Sequence, residues 1–185
     1  MNLPNKITVF RIIMIPVFMI LMMIPQIPYY NFIALAVFSI ACFTDFLDGY
    51  LARKYNLVTN FGKFMDPLAD KVLVSTAMIM LVEMGQIPSW VAAIILAREF
   101  IISGFRLVAA DAGIVIAASY IAKFKTVFQM FMCIFMIFTA DKSFDGPFFK
   151  FIDVLGKIAM WGALVLTVVS LVDYIYKNRQ VISDK

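Results

Sequence analysis

Asp45, Asp48, Asp66 and Asp70 fall close together in a chain that is otherwise strongly apolar. The first pair belongs to the run D-F-L-D-G-Y-L-A-R, from Asp45 to Arg53, and the second to G-K-F-M-D-P-L-A-D, from Gly62 to Asp70. An ionisable side chain at the centre of a membrane helix costs roughly 2.5–3.5 kcal/mol on insertion scales. Building a membrane helix requires none of these acids, so a group of four calls for a counter-charge, and a divalent cation is the simplest. The chain has no histidine, and both of its cysteines, Cys42 and Cys133, sit in apolar stretches. That leaves carboxylate oxygens as the donors, a set that suits Mg²⁺ or Mn²⁺, and two ions fit if some carboxylates bridge. Imidazole catalysis and His-ligated zinc are excluded.

The elements that position these acids follow from composition. At 185 residues the chain fits a single domain, 1–185, and 63% apolar residues is too many for an ordinary soluble protein. Stretches of about 20 apolar residues, the length that spans a bilayer, occur six times. They run over 6–24, 30–53, 63–83, 88–109, 121–140 and 148–176, and predict an all-α integral membrane protein with six transmembrane helices. Pro25, Pro28, Pro88 and Pro147 fall at the connections, and residues 111–120 have room for a short interfacial helix. Lys6 and Arg11 before the first apolar run have the look of a signal peptide, but no small-residue cleavage site follows, so the run is expected to be retained as a helix.

Basic residues set the expected orientation. The excess of 16 Lys and Arg over 12 Asp and Glu is better explained by positive-inside loops than by a nucleic-acid partner, which is not expected. Lys6, Arg11, Arg53, Lys54, Lys63, Arg106, Lys123, Lys125, Lys177, Arg179 and Lys185 all fall on one side of the six-span arrangement. Both termini and the acidic loop are therefore expected in the cytoplasm, in a multi-pass protein of the cell membrane.

On a helix, Asp45 and Asp48 lie three residues apart on one face, and Gly62, Asp66 and Asp70 form a second stripe at four-residue intervals. Consecutive helices joined by a short loop can turn both stripes into one cleft. Gly49, Ala52 and Gly62 leave space for a ligand beside the backbone, and the guanidinium of Arg53 can grip a phosphate. Taken singly these residues have plainer roles, the acids lining a polar seam and Arg53 reaching out to the interface. The whole set at these spacings does not.

The pattern D-x2-D-G-x2-A-R-x8-G-x3-D-x3-D, from Asp45 to Asp70, resembles the signature of the CDP-alcohol phosphotransferase family, with every fixed position matched. The resemblance implies a six-helix membrane fold, usually homodimeric, with a site for divalent cations open to the cytosol. It also implies that Asp45, Asp48, Asp66 and Asp70 ligate metal, that Asp70 doubles as the base, and that Gly49, Ala52, Arg53 and Gly62 line the CDP site. Such chemistry needs a carboxylate to take the proton of the attacking alcohol, and otherwise depends on positioning and charge stabilisation.

A second polar set lies further along, in A-R-E-F-I-I-S-G-F-R, Ala97 to Arg106, and A-K-F-K-T-V-F-Q-M, Ala122 to Met130. Arg98, Arg106, Lys123 and Lys125, with Thr126, suit an anionic acceptor. With N-L-P-N-K-I-T-V-F-R, Asn2 to Arg11, these runs are similar to the members of the family that use sn-glycerol 3-phosphate. That similarity implies transfer of a phosphatidyl group from CDP-diacylglycerol, giving phosphatidylglycerophosphate and CMP, and adds Asn5 and Thr8 to the CDP contacts. Read without it, Asn5 is a helix cap, the basic residues are anchors and Glu99 is a local partner of Arg98. Two alternatives stay open at this point: the same chemistry on inositol phosphate, serine or a phosphatidyl lipid, and a cation transporter.

Overall fold

A computed structural model describes the backbone of residues 3–55, 60–111 and 120–177; the side chains of 3, 4, 46, 48–53, 60, 61, 63, 64, 110 and 111 lie outside the described set. Among the described residues six helices follow one another: α1 (Leu3–Met23), α2 (Tyr30–Lys54), α3 (Asn60–Glu83), α4 (Ser89–Asp111), α5 (Tyr120–Phe138) and α6 (Pro147–Lys177). They match the six expected stretches, with α1 and α3 each beginning three residues early. The interfacial helix expected near 111–120 falls almost wholly outside the described residues.

Proline and glycine explain the breaks. Pro25 and Pro28 lie in the turn before α2, Pro88 precedes α4, and Pro147 opens α6, where its missing N–H costs nothing. After α3, Gly85 adopts φ 70° while Gly85 N bonds to Val82 O at 3.0 Å and Gln86 N to Leu81 O at 2.9 Å. This is a Schellman cap, and its left-handed residue favours glycine. Two prolines fall inside helices, Pro16 in α1 and Pro67 in α3, within the expected stretches 6–24 and 63–83. Pro67 withholds an N–H in the turn between Asp66 and Asp70, which locally weakens the helix at the acids.

The core is built from one apolar stripe per helix. Phe18 on α1 meets Phe38 on α2 with ring centroids 5.8 Å apart, and Leu73, Ala77, Met78 and Leu81 of α3 join Ile95 of α4, Met132 and Met136 of α5 and Ala163 of α6. Small residues let the helices approach: a Cβ on Gly156 of α6 would sit 3.1 Å from Met136 Cγ. The helix sides turned away from this core expose Ile13 and Ile20, Ile33 and Ile40, Val72 and Ile79, Ile94 and Ile101, Phe124 and Phe131, and Ile158 and Val165. An apolar core inside an apolar exterior is the arrangement of a protein dissolved in lipid.

Among the described residues, three helices are long and apolar enough to cross a bilayer by composition alone: Asn5–Met23, Tyr120–Phe138 and Pro147–Lys177. A shorter apolar stretch, Tyr30–Asp45, forms most of α2. Helices α2, α3 and α4 have 25, 24 and 23 residues, about the length needed, but carry more charge. These three also carry most of the candidate site.

Candidate functional site

The C-terminal half of α2 and the N-terminal half of α3 meet against the start of α1, and the acids come together there. Asp45 and Asp70 line one cavity of about 180 Å³, together with Lys71, Ser75, Glu99, Thr126 and Gln129. Asp66 lies within electrostatic reach of Asp45, and Asp45 within reach of Asp70, so Asp45 is repelled by both neighbours. Arg11 of α1 offsets part of that repulsion: its Nη1 lies 2.6 Å from Asp45 Oδ1, with the guanidinium fully buried and the Asp45 side chain 40% exposed. Thr8, one turn earlier, donates its hydroxyl to Asp66 Oδ1 at 2.6 Å.

Among the described residues no three acidic or thiol groups converge closely enough to form a metal site unaided. Asp48, Gly49, Ala52 and Arg53 have side chains outside the described set, so their expected roles at the metal and the CDP site have no geometry here. The donors that are described fit a hard divalent cation in kind. They are half-buried carboxylates in a chain without histidine. Asn5 and Gly62, both buried, have partners, and neither lines the cavity.

A larger cavity, of about 530 Å³, adjoins the first and is lined by cations. Arg98 and Arg106 of α4 and Lys123 of α5 line it, beside Ser103 and Thr126. Arg98 is held by Ser170 of α6, to whose Oγ its Nε donates at 3.2 Å. The Nε of Arg106 is buried without a hydrogen-bond partner among the described residues, a state that an anion in the cavity would relieve. Lys123 Nζ rests 5.2 Å from the Tyr120 ring centroid. Thr126 gives its hydroxyl back to Ala122 O at 3.0 Å.

Lys125 stands apart from the other expected acceptor ligands. It is fully buried, its ammonium is paired with Glu99, and it lines neither cavity. The local pair expected between Arg98 and Glu99 therefore gives way to a cross-helix one, because neighbouring helix residues point in different directions. Asp70, Lys71, Glu99 and Thr126 line both cavities. Asp70 consequently faces the acids on one side and the cations on the other.

Sequence reasoning missed several of these residues. Arg11 had looked like an anchoring charge, Lys71 drew no attention beside Asp70, Gln129 was given no role within the run Ala122 to Met130, and Ser170 had no motif around it. The three-residue spacing of Asn5, Thr8 and Arg11 in an apolar helix was the one signal that could have revealed the first.

Among the described residues, an apolar helical bundle places an acid-lined cavity beside a cation-rich one, the layout of a membrane enzyme that handles anionic substrates. The family model for CDP-alcohol phosphatidyltransferases matches residues 1–169, and the chain belongs to that family. It is similar to the CDP-diacylglycerol–glycerol-3-phosphate 3-phosphatidyltransferase of Bacillus subtilis, 45% identical over 96% of this chain and 95% of the relative. The protein of that name from Rickettsia bellii is 39% identical over 94% and 93%. A probable phosphatidylglycerophosphate synthase of Mycobacterium tuberculosis is 37% identical over 94% of this chain and 80% of its own.

Proposed function

We propose that this protein transfers the phosphatidyl group of CDP-diacylglycerol to sn-glycerol 3-phosphate, releasing CMP and forming phosphatidylglycerophosphate. The observation that carries the reading is the place of Asp70, on the wall shared by the acidic and the cationic cavity. A base for this reaction must touch the acceptor hydroxyl while that hydroxyl faces the diphosphate, and a residue on the shared wall meets both conditions.

In this reading the protein is one six-span domain in the cell membrane, acting as a homodimer, with both termini and the site on the cytoplasmic side. Asp45, Asp48, Asp66 and Asp70 hold Mg²⁺ or Mn²⁺, with two ions expected. When bound, the cations offset diphosphate charge and polarise the phosphorus under attack. Gly49, Ala52, Arg53 and Gly62, with Asn5 and Thr8, take the CDP group. The phosphate of glycerol 3-phosphate enters the cationic cavity against Arg98, Arg106, Lys123 and Thr126, while Lys125 holds Glu99 on the wall of that cavity and offsets its negative charge. The 1-hydroxyl then points toward Asp70. Its oxygen bonds to the phosphorus that carries diacylglycerol, the bond from that phosphorus to CMP breaks, and the proton passes to Asp70.

The test is release of CMP by purified protein given both substrates and Mg²⁺ or Mn²⁺. No release under those conditions rejects the reaction. Arg106→Ala is expected to raise KM for glycerol 3-phosphate about tenfold, as loss of a charge-assisted hydrogen bond should. Faster turnover of serine or another uncharged alcohol, indifferent to that substitution, would reassign the acceptor. A transport path is disfavoured by the apolar residues along α3 and α5 beyond the acids, where Met78, Leu81, Met132 and Met136 are buried in the core.

A further inference from the structure

The buried stripe of α1 changes character halfway along the helix. Ile15, Phe18 and Met22 continue a line begun by Asn5, Thr8 and Arg11, and all six are buried. The apolar half packs into the core, while Thr8 and Arg11 each reach a carboxylate on a different helix, Asp66 on α3 and Asp45 on α2. Both contacts are 2.6 Å: the first is a hydrogen bond to an ionised acceptor and the second an ion pair. Each takes the Oδ1 of its aspartate and leaves the second oxygen to other donors or ions.

The side from which these bonds come matters. Asp45 lines the acidic cavity, whereas Thr8, Arg11 and Asp66 do not, so α1 holds Asp45 from outside that cavity and holds Asp66 beside it, within electrostatic reach of Asp45. A carboxylate gripped at one oxygen loses the freedom to swing, and its remaining oxygen points in a fixed direction. Partners of that kind set ligand orientation at metal sites, and removing one commonly weakens metal binding 10–100-fold.

We propose that α1 is the positioning element of the acid cluster, with Thr8 fixing Asp66 and Arg11 fixing Asp45 so that their second oxygens face a shared cation. The proposal rests on the reading of the aspartates as cation ligands, and it moves Thr8 from the nucleotide contacts to the support of Asp66. Thr8 and Arg11 are positioning residues and act through the two acids.

The experiment measures Mn²⁺ binding to the purified full chain in detergent, by electron paramagnetic resonance of free Mn²⁺, with no nucleotide or lipid substrate. Thr8→Val keeps the shape and deletes the hydroxyl; it is expected to weaken Mn²⁺ binding about tenfold, with Thr8→Ser restoring it. In an Asp66→Asn background, Thr8→Val should add nothing. Arg11→Lys keeps the positive charge while shortening the reach, and a similar loss is expected. Unchanged Mn²⁺ affinity in Thr8→Val overturns the positioning role, as does a Thr8→Val loss of CDP binding that persists in the Asp66→Asn background. Failure of the unsubstituted chain to bind Mn²⁺ would instead overturn the cation reading, and the proposal with it.

Discussion

Both ends of the bundle carry a charged cavity, and the two are built on opposite principles. At the end away from the aspartates, a cavity of about 320 Å³ is lined by Lys142, Asp145, Lys150, Asp153 and Lys157. Its ion pairs are local and exposed: Lys150 with Asp145 at 3.0 Å, Lys157 with Asp153 at 2.6 Å one turn away. At the acidic end the end of α6 carries one more local pair, Lys177 with Asp173 at 2.8 Å, but the two pairs beside the cavities run between helices and are buried on at least one side: Arg11 with Asp45, Lys125 with Glu99. Surface pairs of the first kind contribute about 0–1 kcal/mol, because water solvates each partner almost as well. Pairs of the second kind carry a desolvation cost of several kcal/mol per ion, which only good geometry offsets. A protein that keeps such costly pairs at one end uses them there.

The comparison can be broken at its strongest point first. Asp70→Asn should lower turnover at least 100-fold, the scale expected for loss of a general base, with no fall in Tm because it removes charge from a repelling cluster. Near-normal CMP release by that variant would remove Asp70 from the proposed mechanism. Lys125→Met comes next. It strands Glu99 in a half-buried site and is expected to cost about 3 kcal/mol of stability, measured by thermal unfolding in detergent. Adding Glu99→Gln should recover part of that loss, since a neutral amide tolerates the site better than an unpaired carboxylate. A strictly additive double variant would mean that the pair contributes no coupling. The smallest effect belongs to the other end: Lys157→Ala should change stability by about 0.5 kcal/mol or less and leave CMP release unchanged. A large loss there would erase the distinction between the two cavities.

Much of this was legible before any coordinates. The six helices follow from apolar stretches and from prolines at 25, 28, 88 and 147, since lipid demands internally satisfied backbone and proline ends helices. The placing of Asp45 and Asp70 on one cavity was legible as well, because two stripes on consecutive helices have few ways to be buried. Lys125 was the hard case. Its spacing from Lys123 and Thr126 suggested a ligand to the acceptor, but its pairing with Glu99 depends on how α4 and α5 face each other. Arg11 was obscured by its setting, a basic residue near a membrane-helix end, where an anchoring role is the ordinary expectation.

The chain alone determined the solvent, the number of helices and the kind of chemistry. These depend on residue type and on spacing within one helix or across one short loop. Which partner each buried charge takes was decided only by the packed bundle. Thr8 reaches Asp66 across 58 residues and Arg98 reaches Ser170 across 72. No local periodicity encodes such a contact; it exists because helix packing brings distant faces together in a medium too apolar to leave a charge alone.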